Sequence, residues 1–110
     1  MPKPTPPTLR ERNRYMTFRI LCDAKPDRKA VVNAIWNSLL RLYGESGASE
    51  TSLWVMDWAD DKSKGIVKVN HKSVEKIRSA LALVREVDGR PAAFHVLKTS
   101  GTLKSARELL

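Results

Sequence analysis

The pattern of apolar positions predicts a strand followed by a helix in the first half of the chain. Between Arg14 and Asp23 every second residue shares one face, which is the period of a strand. The residues on its apolar face are Met16, Phe18, Ile20 and Cys22. After Pro26, apolar residues recur three or four positions apart, and this spacing predicts a helix that ends at Gly44. The stripe of that helix consists of Val32, Ile35, Leu39 and Leu42.

The same two periods return in the second half of the chain. A turn-rich stretch at 45–49 precedes a predicted hairpin of two strands, 53–59 and 64–69. Asn70 is a suitable N-cap for a second helix, which is followed by a strand at 92–97 and a short helix at 103–110. This order predicts an α+β fold, a ferredoxin-like βαββαβ sandwich with an additional C-terminal helix. We expect one domain at 14–110, preceded by an extended, basic, Pro-rich arm at 1–13.

The charge of the chain is strongly positive and unevenly distributed. The formal net charge is +8 on 110 residues. Residues 1–24 carry five basic and two acidic side chains, residues 25–59 carry four of each, and residues 60–110 carry eleven and six. The excess at both ends of the sequence favours a polyanionic partner, nucleic acid first and a membrane surface second. An even scatter of solvated lysines is the alternative.

Other features restrict the class of protein. A single cysteine, Cys22, excludes an internal disulfide and suits a reducing compartment. The longest apolar run is far shorter than the ~20 residues that span a bilayer, and no signal-peptide core is seen. We therefore expect a cytoplasmic protein without a membrane partner. His71 and His95 are the only histidines, and no motif connects them to a nucleophile or a metal, so we expect no catalytic residue and no metal site.

The aromatic residues argue against the usual way in which this fold binds single-stranded RNA. The strand at 64–69 begins with Lys64 and Gly65 but lacks the aromatic residues that stack on bases. Tyr15 and Phe18 fall on opposite faces of the first strand and cannot both stack. Recognition of the phosphates or the shape of structured RNA is the better hypothesis.

Two sets of bulky residues predict a surface for a protein partner. The first helix carries additional apolar residues beside its stripe, and one face of the strand at 53–59 carries a second set. Each set alone could be ordinary core, but together they favour an apolar surface left for a partner. The residues are Trp36, Leu40 and Tyr43 on the helix and Trp54, Met56 and Trp58 on the strand.

Several segments together carry a family resemblance that covers nearly the whole chain. They are PPTLR at 6–10 with Arg12, Arg14 and Tyr15, AIWNSLL at 34–40, GESGASE at 44–50, GIVKVNHK at 65–72, ALAL at 80–83, and VL at 96–97 with SGTLK at 100–104. In this order they resemble the archaeal ribonuclease P protein component 2 family, a small subunit related to one of eukaryotic ribonuclease P and MRP.

The resemblance implies an RNA-recognition-motif-like fold and a place in a ribonucleoprotein. The family's complex removes the 5′ leader from precursor tRNA, and its catalyst is the RNA with bound Mg²⁺, so the protein would be a non-catalytic subunit that binds no cofactor itself. The implied partners are ribonuclease P RNA, a TIM-barrel protein subunit and other ribonuclease P proteins, with a homodimer inside a heterotetramer as one arrangement. Precursor tRNA would be the substrate of the whole complex.

Three clusters are the candidate RNA contacts. The arm supplies arginines, and the two later clusters surround predicted helix starts, where backbone N–H groups favour phosphate. The candidate residues are Arg10, Arg12 and Arg14; Lys68, Asn70, His71 and Lys72; and Ser100, Thr102 and Lys104. A solvated charge or a simple helix cap is the alternative for each. Two other functions stay open: a protein-interaction module with little direct RNA contact, and an independent small enzyme.

Overall fold

The alternating segment near the start of the chain becomes the central strand of an antiparallel sheet. The structure is a computed structural model and describes residues 12–110. Its elements are β1 (Asn13–Cys22), α1 (Arg28–Ser49), β2 (Trp54–Ala59), β3 (Lys64–Asn70), a 3₁₀ turn (His71–Ser73), α2 (Val74–Ala82), β4 (Glu86–Val87), β5 (Arg90–Ser100) and α3 (Leu103–Arg107). The strand order is β2-β3-β1-β5-β4. The predicted α+β, ferredoxin-like arrangement is confirmed, with one strand more than the four expected.

The additional strand follows from a tight turn. Asp88 and Gly89 both have positive φ, 54° and 77°, and they join Val87 to its partner Arg90. An Asp-Gly pair with this geometry is typical of a two-residue hairpin. The turn starts the last long strand at Arg90, two residues before the predicted start at 92, and leaves β4 as a short edge strand.

The core lies between the sheet and helices α1 and α2. Met16, Phe18 and Ile20 of β1 are buried on this inner face, as the alternation predicts. The helix α1 buries Val31, Ile35 and Leu39, and α2 buries Ile77, Ala80 and Leu81. The predicted stripe of α1 was wrong at both ends. Val31 is more deeply buried than Val32, and Leu42 remains 38% exposed, because positions four apart follow the side of the helix that faces the sheet.

Gly44 ends the first part of α1, as predicted, and a second helical segment follows it directly. Its backbone has φ 70° and ψ −179°, a combination that is essentially restricted to glycine. The helix resumes after this kink and continues to Ser49, so the turn predicted at 45–49 is wrong. The kinked extension brings Glu50 and Thr51 beside the end of β3, where Thr51 O accepts a hydrogen bond from the backbone N of Asn70 at 3.0 Å.

Three stacked aromatic rings in the core require a glycine on the neighbouring strand. Phe18 stacks on Phe94 with ring centroids 5.4 Å apart and on Trp58 with centroids 6.2 Å apart. Gly65 pairs with both Phe18 and Trp58. A Cβ at Gly65 would lie 2.7 Å from Phe18 Cζ, 2.9 Å from Trp58 Cε3 and 2.9 Å from the backbone oxygen of Asp57. The rings therefore occupy the space that any side chain at position 65 would need.

Gly65→Ala should destabilise the protein by about 1–3 kcal/mol, because the added methyl overpacks a site where a backbone oxygen cannot move away cheaply. Urea unfolding followed by circular dichroism measures the change. Gly101→Ala is the matched control, since its Cβ would meet nothing within 4 Å. An equal effect of the two substitutions would contradict the assignment of Gly65 as a packing position.

The opposite, outer face of the sheet is covered at its centre by α3. Thr17 and Ile66 pair across β1 and β3, and both are fully buried although they point away from α1 and α2. Thr17 Oγ1 donates a hydrogen bond of 2.8 Å to Ala106 O of α3. Arg107 then binds Asp57 of β2, with Nε 2.7 Å from Oδ2. The short helix is thus attached to β1 and to β2.

Within residues 12–110, no helix combines the length and the apolar composition that a membrane span requires.

Candidate nucleic-acid interface

The candidate RNA-binding clusters that the structure describes meet at one end of the sheet. There β1 begins while β3 and β5 end, so Asn13 pairs with Asn70 and Tyr15 pairs with Ser100. The backbone N of His71 donates to Arg12 O at 2.7 Å, and His71 Nδ1 lies 3.1 Å from the same oxygen. We call this region the basic end. It comprises Arg12, Arg14, Lys68, His71, Lys72, Thr102 and Lys104.

Three lysines of the basic end are available to bind an anion. Lys72 and Lys104 are exposed and Lys68 is half-buried. Among the described residues, none of the three forms an ion pair, whereas the nearby Lys76 lies 3.7 Å from Glu50. A lysine without a carboxylate partner gives up no ion pair when it binds phosphate.

The arginines of the arm are only partly described. Arg12 is exposed at the start of β1, and Arg14 is half-buried with Nη1 donating to Asn13 O at 3.0 Å. Arg10 lies outside the described residues, as does the predicted arm up to residue 11. The positions of Arg12 and Arg14 place the end of the arm next to His71 and Lys72.

The small polar residues of the clusters have structural contacts instead. Asn70 is only 5% exposed; its Nδ2 donates to Glu50 O, and it makes no side-chain cap, so its predicted capping role is wrong. Ser100 is buried. Thr102 caps α3, because its Oγ1 accepts from Ser105 N at 3.2 Å. Burial leaves the side chains of Asn70 and Ser100 little surface for RNA.

Arg107 of α3 forms an ion pair with Asp57 of β2 on the outer face of the sheet. The pKa of Arg107 is raised above its ordinary value, mainly by its hydrogen bond to Asp57 and also by the attraction between the two charges. The pair removes one carboxylate and one guanidinium from the free charges of the outer face. On strands β1, β2 and β3, Asp57 is the only acidic residue, so the free strand charges there are positive.

Comparison with known proteins shows the family of the chain. The model of the Rpp14/Pop5 family matches residues 14–110. The chain belongs to the Rpp14/Pop5 family. Among its relatives, "Ribonuclease P protein component 2" of Thermococcus gammatolerans is 39% identical over 103 residues, covering 94% of this chain and 86% of the relative. The protein of the same name from Methanocaldococcus jannaschii is 36% identical and covers 97% and 78%.

A solved structure supports the fold of this Rpp14/Pop5 protein independently. A chain in the cryo-EM structure of yeast Ribonuclease MRP superposes with a TM-score of 0.67, covering 84% of this chain and 76% of that one. The two sequences are 19% identical, so this likeness concerns the fold alone.

The predicted apolar face on the second strand is wrong. A bulge at Met56 changes the alternation, since Val55 pairs with Val67 but Asp57 pairs with Ile66. Trp54, before the bulge, points to the outer face and is 62% exposed, while Trp58, after it, points inward and stacks on Phe18. Alternation alone had put Trp54, Met56 and Trp58 together, because a bulge leaves no clear signal in one sequence.

The apolar residues of α1 are divided between core and surface. Trp36 and Tyr43 pack against the core, and Lys76 Nζ lies 5.5 Å from the Tyr43 ring centroid, whereas Leu40 is exposed. Leu42, expected in the core, instead lines a cleft of 430 Å³ between α1 and the segment after α2, together with Leu83. The interface assignment stays a prediction for Trp36, Leu40 and Tyr43.

The two histidines do not form a site together. His71 lies at the basic end, whereas His95 is exposed on the outer face opposite Arg19 in the sheet. Among residues 12–110, no three His, Cys, Asp or Glu side chains are grouped as metal ligands would be.

Proposed function

We propose that this chain is a protein subunit of ribonuclease P that binds the catalytic RNA and supports removal of the 5′ leader from precursor tRNA. The observation that carries the proposal is the meeting of separately predicted basic clusters at one end of the sheet, in a chain of the Rpp14/Pop5 family. The names of the relatives, ribonuclease P protein component 2, support the same role.

The mechanism is one of counterion chemistry. A folded catalytic RNA brings phosphates close together, and their repulsion opposes the active fold. Lys68, Lys72 and Lys104 present positive charge on one surface, and each phosphate they neutralise releases condensed counterions. In this proposal the RNA and its Mg²⁺ carry out the cleavage, and the chain reduces the Mg²⁺ concentration at which the RNA is active.

Reconstitution tests the proposal. Precursor-tRNA cleavage is measured with ribonuclease P RNA and the partner protein subunits, with and without this chain, over a range of Mg²⁺ concentrations. We expect half-maximal activity at a lower Mg²⁺ concentration when the chain is present. Affinity for the RNA should fall by roughly 0.9 log units per log unit of salt for each phosphate contact. Identical Mg²⁺ curves with and without the chain would rule out the supporting role.

A second candidate is a protein-interaction module with little RNA contact, and the cleft between α1 and the segment after α2 favours it. Leu42 and Leu83 line this cleft and are 38% and 49% exposed. The TIM-barrel subunit, another ribonuclease P protein or a second copy of the chain are the partners we propose for such surfaces. This candidate predicts RNA affinity with almost no salt dependence, which the same titration measures. The two candidates are compatible if both surfaces are used.

A further inference from the structure

Trp54 is the most exposed large apolar side chain of the described residues, at 62%. It begins β2 on the outer face of the sheet, beside the basic end. Lys68 of β3 is its cross-strand partner, and Tyr15 of β1 is the partner of Lys68 on the other side. Partners in an antiparallel pair share one face and have neighbouring Cβ atoms. Trp54, Lys68 and Tyr15 therefore form a row, aromatic-cation-aromatic, across three strands.

Trp54, at the β2 end of the row, is not covered by α3, whereas Lys68 and Tyr15 are half-buried. The contact between Thr17 and Ala106 places α3 over the next outward pair along β1 and β3, Thr17 with Ile66. Trp54 is left open to solvent at the margin of the helix. The tertiary structure thus covers the centre of the sheet, where other proteins of this fold stack bases, and exposes an indole at its β2 side.

The surroundings of Trp54 suit a nucleotide better than a protein. The cross-strand partner of Trp54 is the cation Lys68, and the one carboxylate on β1, β2 and β3, Asp57, is bound to Arg107. An interface for a protein usually contains a contiguous apolar centre. Trp54 is instead an isolated ring beside Lys68, and a flat ring with an adjacent cation is the combination that binds a base and its phosphate.

We propose that Trp54 and Lys68 bind an unpaired nucleotide of the RNA, with the base stacked on the indole of Trp54 and the phosphate bound by Lys68. This inference rests on the proposed function and assigns a stacking contact to it. Stacking on an aromatic side chain tolerates any base, because every base has a π face. The contact would bind a bulged or loop nucleotide of a structured RNA, while the basic end binds its phosphates.

The test compares three substitutions of Trp54 in the full chain with single-stranded RNA of about 10 nucleotides and with the same sequence as a duplex. Trp54→Ala and Trp54→Leu should weaken single-strand binding by about 5- to 150-fold, the range expected when one stacked base loses its ring, and Trp54→Phe should retain most of it. The salt dependence should not change, because no cation is removed. Single-stranded RNA should quench the tryptophan fluorescence of the unmodified chain, and Trp54→Phe should abolish the quenching.

The outcomes separate this inference from the proposed function. If the unmodified chain binds neither ribonuclease P RNA nor the short RNAs, the proposed function fails. If it binds them with a steep salt dependence while Trp54→Ala binds equally well, only the stacking contact is wrong. Full affinity of Trp54→Leu, or a defect confined to binding of a protein subunit, would likewise overturn it and assign Trp54 to an apolar contact.

Discussion

Reversal of three charges at the basic end, Lys68→Glu, Lys72→Glu and Lys104→Glu, should weaken binding of ribonuclease P RNA on the order of 100-fold at about 0.1 M salt. The three lysines have no ion pair among the described residues, so the weakening comes from phosphates left without a cation and not from broken salt bridges. The slope of log affinity against log salt should fall by roughly 0.9 for each phosphate that is no longer neutralised. Filter binding at several salt concentrations measures both quantities.

A matched control distinguishes the effect of where the charges lie from the effect of the total net charge. Lys25, Lys29 and Arg85 are exposed, and among the described residues they form no ion pair. Lys25 follows β1, Lys29 lies in the first turn of α1 and Arg85 follows α2, at the opposite end of the sheet from the basic end. Reversal of these three lowers the net charge equally. We expect a much smaller decrease in affinity, and equal decreases in both variants would show that only the total charge matters.

Phe18→Ala should cost about 3–5 kcal/mol of stability, which is a large part of the 5–15 kcal/mol that typically stabilises a domain. Phe18 is fully buried and stacks on two rings, Phe94 and Trp58, so the substitution leaves a cavity between strands and helices. The melting temperature should fall by about 4 °C or more for each kcal/mol. Calorimetry or thermal circular dichroism measures the shift.

Two comparisons make the Phe18 prediction specific. Trp54→Ala removes a larger ring from the surface and should change stability by no more than about 0.5 kcal/mol. Gly65→Ala should cost less in the Phe18→Ala background, because the 2.7 Å contact between the new Cβ and Phe18 Cζ no longer exists. Strict additivity of the two substitutions would mean that Phe18 and position 65 do not share the same space.

The helix α3 covers the part of the sheet that proteins of this fold commonly use to stack bases. In the described residues, Phe18 faces the helices and Thr17 is covered by α3, so β1 offers no exposed central pair of aromatic rings. The prediction that a conventional stacking surface is lacking agrees with this geometry. Lys72 and Lys104 are exposed near the row of Trp54, Lys68 and Tyr15, in which Trp54 is exposed, and this arrangement motivates contacts with structured RNA that contains unpaired nucleotides.

Much of the fold could be predicted because it depends on local periodicity. The period of two in β1 and the helical spacing in α1 and α2 identified the elements, and their order predicted the ferredoxin-like arrangement. The Asp-Gly turn that creates β4 was also present in the sequence, as a hairpin signal between 87 and 90. The continuation of α1 beyond Gly44 could not be predicted in this way, since it depends on contacts between 50–51 and Asn70 that are distant in sequence.

The candidate site was predicted in part. Its cationic residues follow from composition and segment charge, because lysines and arginines remain near the surface wherever the fold places them. The sequence does not show which of the polar residues are buried. Asn70 and Ser100 are buried because the α1 extension and the neighbouring strands pack against them. Trp54 and Trp58 lie on different faces because of a single bulge between them, which shifts the side chains after it, Trp58 included, to the other face.

The sequence by itself determined the elements, their order, the inner face of the central strand and the excess of positive charge. These properties follow from the local pattern of side chains and need no information about distant neighbours. Only the tertiary structure decided that Arg12, Lys68 and Lys72 meet, since antiparallel pairing joins the start of β1 to the end of β3. It also decided that α3 covers the centre of the outer face and leaves Trp54 open, because the register of β2 and the hydrogen bond from Thr17 to Ala106 arise only when the strands and helix pack together.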